Sequence, residues 1–189
     1  MTVRPYLLAL LLACGCASHR PFVVGQTLDL QLPAMDGGEV DLTKYRGQVV
    51  LLDVWASWCH PCAEAVPFYA DLQKRLGGRG LRVVAVNIDA DPRAAQAFLA
   101  DVSKGDTPVL RDGKVQKIPA ADLDVGHSLV QARDPEGKLV TARFKLRRMP
   151  SMLLLDRTGT VRKAHDGFDA DDMAKIEHEV EEMLAAKGT

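Results

Sequence analysis

The sequence predicts an α/β fold built on a mixed sheet, and three observations carry that expectation. An apolar run from Val49 to Val54, broken only by Asp53, leads into Cys59 and Cys62 and then a helix-forming stretch. A second run, Leu81 to Ile88, leads into a helical pattern over Pro92 to Val102. Such runs suit strands buried on both faces, and strand, helix and strand in that order give parallel pairing. A third run, Met152 to Leu155, meets a turn at Asp156-Arg157-Thr158-Gly159 and a partner at Thr160 to Ala164, which adds an antiparallel pair.

The first residues read differently from the rest. Arg4 precedes a short apolar core, Leu7 to Ala13, and Leu11-Leu12-Ala13-Cys14 resembles a bacterial lipobox. That core is too short to span a bilayer as a helix. Residues 1–13 are therefore expected to be a lipoprotein signal peptide, Cys14 the lipidated residue, and residues 14–24 a tether, with residues 25–189 forming the domain. Cys16 offers a second, poorer cleavage site, and an ordinary secretory signal is the alternative. Either reading exports the protein from the reducing cytosol, into the cell envelope on its periplasmic face. The lipoprotein resemblance implies, with Gly15 rather than an aspartate after the cysteine, sorting to the outer membrane, with the lipid anchor as the only attachment to it.

Along the domain, Leu28, Leu30 and Leu32 alternate with polar residues, Met35-Asp36-Gly37-Gly38 gives a turn, and Val40 and Leu42 resume the alternation, which is a hairpin signature. The helix after Cys62 runs to about Leu76 and stops at Gly77-Gly78, with Pro67 predicting a kink near Ala63. From Ser103 to His127 the pattern weakens. Gly105, Pro108, Gly113, Pro119 and Gly126 punctuate it, and only Val109 to Leu110 and Val115 to Ile118 suggest short strands. This stretch is read as an insertion that packs beside the core rather than within it. The strand-and-turn after the second helix is assigned to Leu129 to Gly137. Asp169 to Ala186 closes the chain as a helix, with Met173, Ile176, Val180, Met183 and Leu184 on its apolar stripe and Glu177, Glu179, Glu181 and Glu182 on its solvated face.

The chemistry lies in Trp58-Cys59-His60-Pro61-Cys62. A sulfur just ahead of a helix N-terminus meets unpaired amides and the positive end of the dipole, which favour its thiolate. One helical turn brings Cys59 and Cys62 together, so Cys62 can close a disulfide after Cys59 has joined a partner. Pro61 suits the first helical turn, where its missing N–H is no loss. A structural zinc site needs four ligands, and the remaining cysteines, Cys14 and Cys16, lie in the segment expected to be processed. No metal is expected. The formal charge of −1 makes no electrostatic case for nucleic acid.

Asp53 through Cys62 resembles the active-site stretch of thioredoxins. From about Val24 onward the chain resembles the TlpA/ResA-type branch of the redoxins, membrane-tethered thiol-disulfide oxidoreductases of bacterial envelopes. The resemblance implies a thioredoxin-like fold with a mixed central sheet, helices on both faces, an N-terminal β-hairpin and one insertion, about 103–127. It implies a disulfide reductase acting on disulfide-bonded envelope proteins, with Cys59 attacking, Cys62 resolving, no cofactor, and an upstream electron donor that the sequence does not name. A monomer is expected.

The same resemblance places a cis proline at Pro150, facing the dithiol and exposing the Met149 backbone to a client. A protonated His60 would stabilise the Cys59 thiolate and make the protein a weaker reductant. Trp58 and Trp55 shape the rim and floor. Asp53 matches the buried aspartate of thioredoxins, where the branch commonly has asparagine; burial should raise its pKa and suit it as general base for Cys62. The branch often has a glutamate three residues after the second cysteine, where this chain has Ala65, with Glu64 one place earlier. That departure weakens transfer of the cytochrome-maturation role of some relatives.

Two other readings remain. A peroxiredoxin-like thiol peroxidase expects Thr or Ser three residues before its cysteine, where Ala56 stands. A tethered binding module would not need the cysteines. His19, His127, His165 and His178 lack motif context and are read as surface or loop residues.

Overall fold

The structure, a computed structural model, describes residues 24–144 and 148–186. The expected signal peptide, Cys14 and His19 lie outside the described residues, as does all of the tether except Val24.

Strands β1 (Gln31–Pro33) and β2 (Glu39–Asp41) form the expected hairpin, with Leu32 opposite Val40. Strand β3 (Val49–Trp55) is buried at every position and leads into helix α1 (Cys62–Leu76). Pro67 lies inside α1, which runs unbroken across it. Strand β4 (Leu81–Asn87) pairs parallel to β3, and helix α2 (Pro92–Val102) follows, capped by the Asp91 side chain on the Arg93 amide. Strand β7 (Val130–Arg133) then pairs parallel to β4. Strands β8 (Ser151–Leu155) and β9 (Val161–Asp166) extend the other side antiparallel, giving the order β7-β4-β3-β8-β9. The last helix, α5 (Ala170–Ala185), begins with a capping box between Asp169 and Asp172.

The two sheet faces have separate cores. Leu51 and Trp55 of β3, with Val83 and Ala85 of β4, pack against α1, α2 and α5. Val50, Leu52 and Val54 pack against the N-terminal hairpin and helix α4 (Lys138–Phe144), through Val140 and Phe144. Both parallel crossovers step the same way across the sheet, so their common right-handedness puts α1 and α2 on one face.

Three regions differ from the sequence reading. Residues 106–119 form a hairpin, β5 (Asp106–Arg111) and β6 (Lys114–Pro119), whose turn residues Asp112 and Gly113 both have positive φ, the two-residue type that an Asp-Gly pair favours. The hairpin stands outside the central sheet. The stretch nevertheless contributes to the core: Leu110, Leu123 and Val125, the last in the short helix α3 (Val125–Ser128), are buried in the same cluster as α1, because α1 offers an apolar flank that the central sheet does not cover.

Helix α4 was not expected. Its entry is fixed by Asp134, whose carboxylate accepts from the amides of Leu139 (2.9 Å) and Val140 (2.7 Å).

Two acidic and basic residues assigned to the surface are internal. His165 lies in β9 with 10% of its side chain exposed, and its Nε2 is 2.6 Å from Glu179 of α5. Glu179 is therefore removed from the solvated face, because β9 presents His165 to the same side as α5. Glu177 is also drawn in, forked by Arg75 at 2.7 and 2.8 Å. His127 and His178 are exposed.

Candidate active site at the start of the first helix

Strand β3 delivers the chain to the C-terminal edge of the sheet at Trp55, and a turn over 56–58 sets Cys59 ahead of α1. The turn is closed by the Cys59 amide on the Ala56 carbonyl (3.1 Å), and the Cys62 amide donates back to the Cys59 carbonyl (3.1 Å). This winding brings the two cysteines to a Cα separation of 5.4 Å, and they are joined by a disulfide.

Their environments differ in the way a two-step exchange requires. Cys59 retains 4% exposure while Cys62 has none, so Cys59 is the residue nearer the surface and the one placed to meet a partner first. Around it, Trp58 is 67% exposed, and His60 and Pro61 are also on the surface. Trp55 is wholly buried with its ring centroid 5.1 Å from that of Phe98, so it belongs to the core floor. Met149 is half-buried and Pro150 buried, and their peptide bond is cis. Ser151 stands opposite Val54 in the β3–β8 register, so Pro150 lies at the end of the sheet from which the cysteine turn departs.

Asp53 faces the α1 side of the sheet with no exposure, and neither carboxyl oxygen has a hydrogen-bond partner among the described residues. Burial pushes its pKa up to about 8, with the neighbouring Val54 amide opposing the shift to a smaller degree. The Tyr69 hydroxyl on α1 is pushed upward as well, first by its own burial and then by the nearby charges of Asp53 and Asp172.

Sequence reasoning missed a polar clamp on the cysteine turn. The Asp89 carboxylate, just past β4, accepts from the Ser57 amide (2.9 Å), the Ser57 hydroxyl (2.9 Å) and the Asn87 side-chain amide (2.8 Å). Asn87 Oδ1 accepts from the Asp89 amide in return (3.1 Å), and Asn87 and Asp89 are both buried. The available signal was Asn87-Ile88-Asp89, polar residues closing an apolar strand at the edge where the dithiol must sit.

No group of three or more His, Cys, Asp or Glu among the described residues is placed to hold a metal ion. No helix among them is long and apolar enough to cross a membrane. A cleft of about 670 Å³ opens between the β1–β2 turn, α2, α3 and β7, and no residue of the cysteine turn lines it. The dithiol sits instead at the start of α1, with Trp58, His60 and Pro61 exposed beside it, an arrangement for reaching another macromolecule.

A thioredoxin-like sheet carrying a disulfide between the turn after its central strand and the first residue of the next helix defines a thiol-disulfide oxidoreductase. The Redoxin family model matches residues 22–184, and the chain belongs to that family. It is 27% identical over 169 residues to the thiol-disulfide oxidoreductase ResA of Geobacillus thermodenitrificans, covering 85% of this chain and 83% of that one. To ResA of Bacillus subtilis it is 30% identical over 105 residues, 56% of this chain and 58% of the relative. A Chlorobium tepidum structure described as a thiol:disulfide interchange protein DsbE superposes with a TM-score of 0.68 at 32% identity, covering 86% of this chain and 98% of that one.

Proposed function

We propose that the protein reduces disulfides of proteins in the cell envelope, from the periplasmic face of the membrane to which an acylated Cys14 tethers it. The observation that supports this reading most directly is the difference in burial between Cys59 and Cys62 at the start of α1.

In the reduced protein, the Cys59 thiolate attacks one sulfur of a client disulfide and the other client sulfur leaves as a thiolate, forming a mixed disulfide. Cys62 then attacks Cys59 while its proton passes to Asp53, directly or through one water, and the client's second sulfur leaves. The client gains two electrons and the protein is left with the Cys59–Cys62 disulfide. A dithiol donor restores the starting state. The cationic form of His60 favours the Cys59 thiolate, Pro61 fixes the first turn of α1, and Trp58 with the Met149 backbone, set in place by Pro150 behind it, receives the client backbone. The lipid anchor and outer-membrane placement follow from Leu11-Leu12-Ala13-Cys14-Gly15.

The test is reduction of a peptide disulfide with dithiothreitol as the electron source. The wild type should turn over, Cys59→Ser should be inactive, and Cys62→Ser should accumulate a mixed disulfide. Turnover by Cys59→Ser, or peroxide consumption in place of disulfide reduction, would remove this reading.

A further inference from the structure

We infer that Asp89 is a positioning residue for the dithiol: through Ser57 it holds the cysteine turn in the geometry from which the disulfide closes. The inference rests on the proposed redox role of Cys59 and Cys62.

Three features carry it. First, the contact is matched in number and kind. Three donors from Ser57 and Asn87 converge on the two Asp89 oxygens, all at 2.8–2.9 Å, and hydrogen bonds to a carboxylate are stronger than neutral ones. Second, it joins elements far apart in sequence at one critical place. Ser57 is two residues before Cys59, whereas Asp89 is anchored to the end of β4, where the Asn87 carbonyl accepts from the Asp134 amide (2.8 Å) and the Ile88 amide donates to the Trp55 carbonyl (3.1 Å). The turn is thus held against the sheet and not only against α1. Third, the turn's own backbone hydrogen bond is internal, so Asp89 supplies its side-chain bond to the sheet. The Cys59 amide bonds within the turn, to Ala56, and Trp58 projects into solvent.

A clamp of this kind acts on redox equilibrium through effective concentration. Two thiols held in closing geometry form a disulfide more readily than two thiols on a mobile turn, because less ordering remains to be done at closure. Removing the clamp should therefore make the Cys59–Cys62 disulfide easier to reduce. Charge offers a competing account, since loss of a nearby anion would also favour the Cys59 thiolate and hence the reduced form. The two accounts separate at Asp89→Asn. The amide oxygen can take the place of Oδ2 and accept from the Ser57 amide and Asn87, while its NH₂ donates to the Ser57 hydroxyl, which can accept as well as donate. That variant removes the charge and keeps the clamp.

The experiment is equilibration of the full-length protein with glutathione, in which protein disulfide and two glutathione thiols exchange for protein dithiol and glutathione disulfide. Asp89→Ala should shift the equilibrium constant about tenfold toward the dithiol, about 30 mV in potential, and Ser57→Gly should shift it in the same direction. Asp89→Asn should stay within about twofold of the wild type. A shift in Asp89→Asn equal to that in Asp89→Ala would assign the effect to charge, and unchanged equilibria in Asp89→Ala and Ser57→Gly would make the clamp purely structural; either result overturns the inference. If Asp89→Ala fails to fold, Ser57→Ala, which removes the hydroxyl's bond to Asp89 without adding backbone freedom, decides the matter: a shift toward the dithiol upholds the clamp and an unchanged equilibrium overturns it. Turnover of the peptide disulfide by Cys59→Ser would instead remove the redox reading itself, before Asp89 is reached.

Discussion

Asp53 illustrates how one side chain can be costly for the fold and useful to the chemistry. Its carboxyl lies in a strand whose other residues are all apolar, and among the described residues neither carboxyl oxygen finds a hydrogen-bond partner in compensation for lost water, the Val54 amide offsetting only part of the cost. In the unfolded chain it ionises near pH 4, whereas in the folded protein it holds its proton to about pH 8. Between those values the folded state binds more protons than the unfolded one, so stability is fully present below about pH 4 and falls as pH rises, by up to about 1.4 kcal/mol per unit. Urea unfolding at pH 5 and pH 8 should show this slope in the wild type and its loss in Asp53→Asn. The variant should also be more stable at pH 7, by on the order of 2 kcal/mol, because a neutral amide is cheaper to bury but remains unpaired. In the exchange reaction, Asp53→Asn should spare the first attack by Cys59 and slow the second by Cys62, so mixed disulfides should accumulate on non-reducing gels. Equal resolution rates would exclude Asp53 as the proton acceptor.

Helix α1 carries the dithiol at one end and a buried ionic junction at the other. Asp71, with no exposure, is met by Arg75 of the same helix (2.8 Å) and by both terminal nitrogens of Arg111 from β5, and Arg75 continues to Glu177 on α5 (2.7 Å). Asp71→Ala leaves two partly buried guanidinium groups without their shared anion, and should cost about 3–5 kcal/mol. Amide hydrogen exchange should show the β5–β6 hairpin losing protection before the central sheet does.

This junction also marks where the sequence stopped being informative. Strand β3, β4, β8 and the dithiol were legible because an apolar run and a fixed cysteine spacing are local signals. Helix α4 was hidden, since seven residues give barely two turns of periodicity and its cap, Asp134, stands four residues before it begins. The hairpin was half visible: Asp112-Gly113 is a turn signal, but β6 is exposed along nearly its whole length and lacks the alternation that marks a strand. Pairings such as Arg111 with Asp71 or His165 with Glu179 join residues 40 and 14 positions apart. Periodicity reports which face a residue takes, not what faces it from the next element. Asp89 escaped for the same reason, while Asp53 stood out because it interrupts a run.

The molecule as a whole places its reactive end on one rim of the sheet. The turn at 56–58, the start of α1, Pro150 and the Asn87–Asp89 pair all gather where β3 and β4 end and β8 begins. The N-terminal hairpin and α4 cover the opposite face from α1, so the first described residues meet the side of the sheet away from the catalytic helix. The proposed anchor at Cys14 should therefore leave the dithiol free, and on that proposal Cys14→Ala should release the protein from the membrane fraction without altering its rate on a soluble peptide disulfide. Release with loss of activity would mean that the two ends of the chain are not independent. The two tryptophans give this architecture an optical signature. Trp55 is sealed against Phe98 and should emit as an apolar-site fluorophore until the fold is lost, while Trp58 is open to water beside a sulfur bridge that quenches indole emission. Emission at longer wavelength should brighten when the bridge is reduced, and the shorter-wavelength component should persist, so a single spectrum distinguishes a change of redox state from unfolding without any added dye.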